Sequence, residues 1–298
     1  CQLIIGDGQV GAQLVSHGLA AGVVFTGGTD TARKINRSMA ETEGPIAPLI
    51  AETGGQNAMI VDSSALLEQA TDDVIQSAFL SAGQRCSALR VLYLQDDIAD
   101  KAIKLIKGAM DELHVGDPIN IQTDVGPIIS SDAADALRAH VRQASDQGHL
   151  LHAVQLTAEC SEGTFVAPSL LEIANISELE QEHFGPILHV IRFAESEFDA
   201  ILAEIQSSGF GLTFGLHTRI QTRIEKAAAN VGAGNVYANR NMIGAVVGSQ
   251  PFGGQRLSGT GPKAGGPHYL LRFATERTVT INTTATGGNA DLLTLDPN

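Results

Sequence analysis

The residue of this chain best placed to act as a nucleophile is a cysteine in a short polar turn. Cys86 follows residues 81–85, Ser-Ala-Gly-Gln-Arg, so that a cation, Arg85, stands beside it. A cysteine attacks as its thiolate, which partial exposure and nearby positive charge favour. Most unpaired cysteines are small buried apolar residues instead, so the turn alone leaves both interpretations open. Cys1 and Cys160 stand in weaker contexts.

A glutamate in a second turn is the best candidate for a general base. Glu52 follows an apolar run and precedes Thr53, Gly54 and Gly55. Partial burial at the end of a strand raises the pKa of a carboxyl group towards the range that a base needs at neutral pH. A single glutamate in such a position is more often a helix cap or a member of an ion pair, and this alternative stays open.

A glycine-containing turn between a strand and a helix could hold a phosphate. Thr26, Gly27 and Gly28 stand at this junction and are followed by Thr29 and Asp30. The free N–H groups and the dipole at the start of a helix suit a pyrophosphate. Thr29 or Asp30 could equally be a plain helix cap, since both residue types favour that position.

The elements that must position these residues alternate between strand and helix. The apolar pattern predicts strands at 2–5, 22–26, 49–51, 58–61, 90–95, 166–171, 187–193 and 234–238. It predicts helices at 12–20, 31–39, 65–82, 97–113, 132–147, 197–206 and 220–230. This order is typical of an α/β fold with a parallel sheet. A polar, alternating strand of the edge type is expected at residues 278–282.

Composition excludes several classes of function. The chain has 298 residues, of which 43% are hydrophobic, so it is expected to fold as a globular protein. Its formal net charge of -14 argues against nucleic acid as a partner, because phosphate neutralisation needs a basic face. No apolar run is long enough to span a bilayer. The three cysteines are odd in number and widely spaced, which indicates a reducing compartment and argues against a metal site.

Taken together, these motifs resemble those of the aldehyde dehydrogenase superfamily. Five of them occur here in that family's order, namely FTG at 25–27, ETGG at 52–55, GQRC at 83–86, EHFGP at 182–186 and PFGG at 251–254. A closer similarity is to the glutamate-semialdehyde (pyrroline-5-carboxylate) dehydrogenase modules of bifunctional bacterial proline-utilization proteins. Residues 50–69, 81–100, 237–254 and 258–273 carry this similarity.

The resemblance implies a complete reaction. Cys86 would attack the aldehyde carbon to give a thiohemiacetal, a hydride would pass to NAD, and water activated by Glu52 would hydrolyse the resulting thioester. The backbone N–H of Cys86 would supply half of an oxyanion hole. The implied substrate is L-glutamate 5-semialdehyde, which the reaction oxidises to L-glutamate in the second step of proline catabolism.

The resemblance also implies where NAD binds. Glu182 would hold the nicotinamide ribose, Phe184 would pack beside the nicotinamide, and Thr26, Gly27 and Gly28 would lie along the pyrophosphate. The family usually has serine where Gly28 stands, which leaves only backbone donation there. Residues 6–11 match GxGxxG, a pattern that any tight strand-to-helix turn can show. The family places this turn near the adenosine end of the cofactor and away from the pyrophosphate.

For the substrate, similarity points to two backbone segments. Ser87 and the backbone N–H groups of Gly265 and Gly266 would hold the α-carboxylate, with Phe273 against the aliphatic part. Consecutive glycine amides can converge on an anion because no side chain obstructs them. A flexible surface turn is the alternative for Gly265 and Gly266.

The expected architecture is a partial Rossmann-type NAD domain followed by an α/β catalytic domain. We expect residues 1–51 to be the end of the NAD-binding domain, 52–274 the catalytic domain, and 275–298 an oligomerisation strand and tail. Residues 278–282 resemble the flap that joins family members into dimers, so a homodimer is expected. Family members place the oxyanion asparagine and an adenosine-binding lysine upstream of this segment. A strand at residues 3–5 without neighbours would therefore expose apolar surface.

The resemblance further implies an upstream FAD-containing proline dehydrogenase domain in the full protein. It implies the bacterial cytoplasm as location, with peripheral association at the inner membrane. Three alternatives remain at this stage. They are a dehydrogenase for another aldehyde, an inactive fragment, and a cysteine hydrolase that uses Cys86 and Glu52 without a redox cofactor.

Overall fold

Strands and helices alternate along the chain in a computed structural model, which describes residues 1–246 and 248–282. The helices are α1 (Gly8–Ser16), α2 (Thr29–Glu41), α3 (Leu67–Phe79), α4 (Asp96–Asp111), α5 (Ser131–Asp146), α6 (Phe198–Ser207) and α7 (Gln221–Asn230). The strands are β1 (Val23–Thr26), β2 (Leu49–Glu52), β3 (Ala58–Val61), β4 (Val91–Gln95), β5 (Leu150–Ala153), β6 (Ser169–Glu172), β7 (Ile187–Phe193), β8 (Thr213–His217) and β9 (Asn235–Ala238).

Seven of these strands form one sheet in the order β5-β6-β7-β4-β3-β8-β9. All neighbouring pairs are parallel except β5 with β6, which is antiparallel. Both faces of β3 are buried, because Met59 and Val61 join one apolar cluster and Ala58 and Ile60 join the other. The predicted α/β fold with a mainly parallel sheet is confirmed.

Helices cover both faces of this sheet. Apolar residues of α3, α4 and α5 pack on one face, and those of α6 and α7 pack on the other. The central strands are consequently removed from water, and every residue of β3, β4 and β8 is buried. Burial of this much aliphatic surface is the main force that holds the sheet in place.

A second, two-stranded parallel sheet pairs β1 with β2 and places Thr26 opposite Glu52. Helix α2 connects the two strands. The carboxyl ends of β1 and β2 therefore meet in one place, and the chain runs from Glu52 into β3 of the large sheet within a few residues. The cysteine turn precedes β4, and Glu182 precedes β7. The candidate residues thus lie between the carboxyl ends of the small sheet and the amino ends of neighbouring strands of the large one.

Two strand predictions are wrong. Residues 2–5 form no strand, and Leu3 and Ile5 are 87% and 89% exposed, because β1 pairs with β2 and has no further neighbour in the described chain. Residues 278–282 form no strand either, since no strand edge of the described chain lies alongside them. Residues 283–298 of the predicted tail lie outside the described residues.

Helix α1 begins four residues before the predicted start. The side chain of Asp7 accepts hydrogen bonds from the backbone N–H groups of Gln9 and Val10, which caps the helix at Gly8. Part of the GxGxxG match is therefore helix and not turn. Within the residues described, no helix has the length and apolar character needed to cross a membrane.

Candidate active site

One cavity of about 720 Å³ brings together most of the candidate residues. Its walls are Thr26, Gly27, Gly28, Glu52, Thr53, Gly54, Gln84, Arg85, Cys86, Ser87, Glu182, Phe184, Gly244, Ala245 and Phe252. These residues come from five separate segments of the chain, at 26–28, 52–54, 84–87, 182–184 and 244–252. A nucleophile, a carboxylate and a helix start thereby face a common space, which is the arrangement that catalysis on a bound ligand requires.

The cysteine turn has an unusual backbone. Ser81, Ala82 and Gly83 follow α3 with φ angles of 58°, 54° and 62°, in the left-handed region that glycine tolerates best. A Cβ atom at Gly83 would overlap the backbone carbonyl of Gly185. The turn is thus folded tightly against the segment that carries Glu182.

Buried hydrogen bonds fix the backbone around the nucleophile. Asn57, which is 3% exposed, donates from Nδ2 to the carbonyl oxygens of Cys86 at 2.7 Å and Ala88 at 2.9 Å. The Thr213 hydroxyl donates to the carbonyl of Ser87 at 3.2 Å. The role of Asn57 was missed in the sequence, because a lone asparagine before a strand carries no motif.

The thiol of Cys86 is half-buried. Burial raises its pKa, and the neighbouring charge of Glu182 raises it further. The backbone N–H groups of Ser87 and of Cys86 itself act in the opposite direction, because they hydrogen-bond to the thiolate. The same N–H groups are available to an anionic oxygen formed beside the sulfur.

Glu52 turns towards the PFGG segment. Its Oε2 accepts a hydrogen bond of 2.8 Å from the Gly254 N–H, whereas Oε1 is buried and has no hydrogen-bond partner among the described residues. Burial raises the pKa of this carboxyl group to about 7, against the opposing effects of the Gly254 N–H and the charge of Lys263. A carboxylate with this pKa is divided between base and acid forms at neutral pH.

Glu182 lies at the back of the cavity with its side chain 17% exposed. Its carboxylate accepts from the Gly55 N–H and forms an ion pair of 3.2 Å with Arg90. Burial nevertheless raises its pKa. A Cβ atom at Gly54 would overlap this carboxylate, which explains the need for glycine there. Phe184 is 42% exposed and lies over the Arg90 guanidinium at 5.1 Å.

The glycine turn supplies free backbone donors. Helix α2 begins at Thr29, and Gly28 is its N-cap, so neither Thr29 nor Asp30 caps the helix. No side chain caps these N–H groups, and a Cβ atom at Gly28 would meet nothing within 4 Å. This open helix start fits a phosphate group.

The residues predicted to bind the substrate do not all lie at the cavity. Ser87 lines the cavity. Gly265 and Gly266 do not, but they follow Ala264, whose backbone pairs with that of the wall residue Phe252 at 2.8 and 3.0 Å. Phe273 lies elsewhere, because the turn at Leu270–Phe273 carries it against Gly22 and away from the cavity.

Three histidine rings lie close together, and one of them, His183, belongs to the segment that carries Glu182. The rings of His140 and His183 are 3.5 Å apart, and Nε2 of His140 lies 2.9 Å from Nε2 of His189. Burial lowers the pKa of His183 to about 4 and that of His189 to about 3. In the part of the chain that the structure describes, no cluster of His, Cys, Asp and Glu side chains is arranged to hold a metal ion.

Comparison with known proteins gives three consistent matches. The aldehyde dehydrogenase family model matches residues 1–279. Bifunctional protein PutA of Salmonella typhimurium is 49% identical over 299 residues, covering 97% of this chain and 23% of that protein. A crystal structure of Bradyrhizobium japonicum proline utilization A superposes with a TM-score of 0.90 at 55% identity, covering 94% of this chain and 28% of that one.

A further solved structure contains a ligand. It is a 1-pyrroline-5-carboxylate dehydrogenase from Thermus with bound NAD, with a TM-score of 0.84 and 32% identity over 90% of this chain and 52% of that one. The chain spans less than a quarter of the length of the PutA relatives that it matches.

Proposed function

Because the chain belongs to the aldehyde dehydrogenase family, we propose that it oxidises L-glutamate 5-semialdehyde to L-glutamate with NAD. The observation that carries this proposal is the single cavity into which Cys86, Glu52 and Glu182 all face. The similarity to PutA proteins and to a 1-pyrroline-5-carboxylate dehydrogenase supports this substrate.

Cys86 begins the reaction. Its sulfur forms a bond to the aldehyde carbon, and the carbonyl oxygen becomes the anionic oxygen of a thiohemiacetal. The backbone N–H groups of Cys86 and Ser87 stabilise negative charge beside the sulfur, as they do for the thiolate. When bound, NAD accepts the hydride that leaves this carbon, which converts the thiohemiacetal to a thioester.

The remaining cavity residues fit this cofactor. The uncapped start of α2 at Gly28 offers N–H groups to a pyrophosphate. The Glu182 carboxylate is placed to accept hydrogen bonds from ribose hydroxyl groups, and the exposed ring of Phe184 offers an apolar surface to the nicotinamide. Glycine at positions 27 and 28 keeps side chains out of this path.

Glu52 completes the turnover. In its ionised form it takes a proton from a water molecule, whose oxygen attacks the thioester carbon. The carbon–sulfur bond breaks, glutamate leaves, and the Cys86 thiolate is restored. The pKa of about 7 gives Glu52 enough basic form at neutral pH for this step.

Ser87 and the backbone N–H groups of Gly265 and Gly266 recognise the substrate carboxylate in this proposal. Ser87 lies in the cavity wall, and the Gly265–Gly266 pair follows the segment that is bonded to Phe252. Gly265 has a φ angle of 71°, and a Cβ atom there would meet nothing within 4 Å, so the turn is open. Open glycine amides suit a carboxylate.

We further propose that the full protein carries an upstream proline dehydrogenase domain and forms a homodimer in the bacterial cytoplasm. The much greater length of the PutA relatives supports another domain. Val279 and Ile281 are 68% and 73% exposed, which is compatible with a strand added to a partner subunit. A reducing compartment is compatible with three free cysteines.

NADH formation tests the proposed reaction. The longest natural polypeptide that contains this sequence is assayed with glutamate semialdehyde and with propionaldehyde, as wild type, Cys86→Ala and the matched control Cys160→Ala. We expect semialdehyde-dependent NADH that only Cys86→Ala abolishes. Equal turnover of both aldehydes would contradict the proposed specificity for glutamate semialdehyde. Activity in Cys86→Ala would contradict the assignment of Cys86 as the nucleophile. Ester cleavage without any NADH formation would support a cysteine hydrolase instead.

A further inference from the structure

A buried arginine that belongs to none of the five motifs lies between the segment that carries Cys86 and the segment that carries Glu182. Arg90 precedes β4 and is 2% exposed. Its backbone is fixed on both sides, because its N–H donates to Asn57 at 2.9 Å and its carbonyl accepts from His189 at 2.9 Å. The guanidinium therefore projects from a rigid point of the large sheet.

Both terminal nitrogens of this guanidinium bridge the same two loops. Nη1 donates to the carbonyls of Gly83 at 2.7 Å and Gly185 at 3.2 Å. Nη2 donates to the carbonyl of Arg85 at 3.2 Å and to Oε1 of Glu182 at 3.2 Å. Each nitrogen thus makes one bond to the cysteine loop, residues 81–87, and one to the cofactor loop, residues 182–186.

We propose that Arg90 is a positioning residue that fixes the cysteine loop to the cofactor loop, so that Cys86 and Glu182 keep one relative geometry. The inference rests on the proposed function, in which Cys86 reacts and Glu182 holds the cofactor ribose. The planar fork of an arginine can serve four acceptors in two directions, whereas a lysine ammonium is a point charge on a flexible stem. Only arginine therefore satisfies both loops together.

Arg90 also favours the ionised form of Glu182. Its positive charge and its hydrogen bond oppose the effect of burial on the Glu182 pKa. Without that charge the Glu182 pKa rises, so less carboxylate is present at neutral pH to accept from ribose hydroxyls. The Cys86 thiol is the other ionisable group coupled to Glu182, and the Glu182 charge raises its pKa. A variant without the cation should thus bind NAD with a changed pH dependence.

The test compares Arg90→Met and Arg90→Lys with Arg223→Met in the longest natural polypeptide that contains this chain. Arg223 is a matched control, because it is also a largely buried arginine with an ion pair, to Asp62 at 2.7 Å, and a contact with an aromatic ring, Phe198. It does not line the cavity. Amide hydrogen exchange is measured in both loops relative to strand β4, together with NAD affinity by calorimetry between pH 6 and 9.

We expect Arg90→Met to raise exchange in both loops together and to weaken NAD binding by roughly tenfold or more, because it leaves a buried carboxylate unpaired. In this variant the pH below which NAD no longer binds should be higher than in the wild type, because the pKa of Glu182 rises without the Arg90 charge. Arg90→Lys should keep that pH near the wild-type value, while both loops still exchange faster. Arg223→Met should lower the unfolding temperature without altering the loops relative to β4.

The inference is overturned if folded Arg90→Met keeps wild-type exchange in both loops, or if only one loop loosens. If Arg90→Met does not fold, the Arg90→Lys variant provides the test. Amide hydrogen exchange in its cysteine and cofactor loops as slow as in the wild type would then overturn the inference. Failure of the proposed function has a different signature, since the wild type would then not bind NAD while the exchange experiment would still report on the bridge.

Discussion

The carbonyl oxygens of Gly83 and Gly185 accept hydrogen bonds from one nitrogen, Nη1 of Arg90, at 2.7 and 3.2 Å. The two glycines are separated by about a hundred residues, and one lies in the cysteine loop while the other lies in the cofactor loop. Their backbones pack so closely that Gly83 has no room for a side chain. The relative position of the two loops is therefore determined by backbone contact as well as by charge.

Replacing Gly83 with alanine should destabilise the protein by roughly 3 kcal/mol or more, because the new Cβ overlaps backbone atoms and the φ angle of 62° is strained for alanine. Urea unfolding measures this loss. Gly108→Ala is the control, since Gly108 is exposed within α4 with no neighbour near its Cβ position, and alanine should stabilise that helix by roughly 0.5–1 kcal/mol. Equal stability of the two variants would contradict the close packing of Gly83.

Replacing Asn57 with alanine should cost roughly 2–4 kcal/mol, because the buried carbonyls of Cys86 and Ala88 lose their donor. We expect kcat to fall as well, since the Cys86 backbone is no longer held. Asn230→Ala provides the comparison, because Asn230 is exposed and makes a single bond to Lys226, and its loss should change stability by less than about 0.5 kcal/mol. An Asn57→Ala protein as stable as Asn230→Ala would rule out the anchoring role.

The rate of NADH formation should rise with pH through about 7, because the basic form of Glu52 increases as its carboxyl group loses its proton. Glu52→Gln should remove this rise and lower kcat by roughly 10²- to 10⁴-fold, since an amide cannot accept the proton. A pH–rate profile of each protein makes the comparison, with the exposed Glu68→Gln as control. An unchanged profile in Glu52→Gln would show that another group is the base.

The free energy of unfolding should decrease as the pH falls below about 6.5. The pKa values of His183 and His189 are lowered to about 4 and about 3 in the folded protein, so the unfolded chain binds more protons between pH 6.5 and 4. Urea unfolding at several pH values measures the slope. His183→Phe keeps a ring against His140 but cannot be protonated, so its slope should be smaller. The exposed His268→Phe should retain the wild-type slope, and equal slopes in both variants would contradict the assignment.

The sequence allowed the cavity to be predicted more fully than the edges of the fold. Glu52 ends strand β2, and Cys86 and Glu182 lie in the segments that lead into β4 and β7. A parallel sheet brings such strand ends together once the strand order is known. The strands expected at residues 2–5 and 278–282 were wrong for a common reason. Apolar alternation indicates that a segment can pair, but it does not supply the neighbouring strand.

Arg90 and Asn57 could not be predicted because their function lies in geometry and not in residue type. The sequence around an arginine that precedes a strand is the same whether its side chain is exposed to solvent or hydrogen-bonds to two loops. Its four acceptors include three backbone carbonyls, and carbonyls leave no trace in a sequence. Arg90 connects the two loops only because the fold brings distant residues, such as Gly185, beside it.

The order of the strands also has a consequence for synthesis of the protein. Strand β4 lies between β3, which is made just before it, and β7, which is made much later. Gly185 follows Arg90 by 95 residues, and Gly254 follows Glu52 by 202. At a ribosomal speed of roughly 5–20 residues per second, about 5 to 20 seconds separate the synthesis of Arg90 from that of Gly185, its partner in the cofactor loop. The cysteine loop therefore cannot be fixed to the cofactor loop until that second loop has been synthesised.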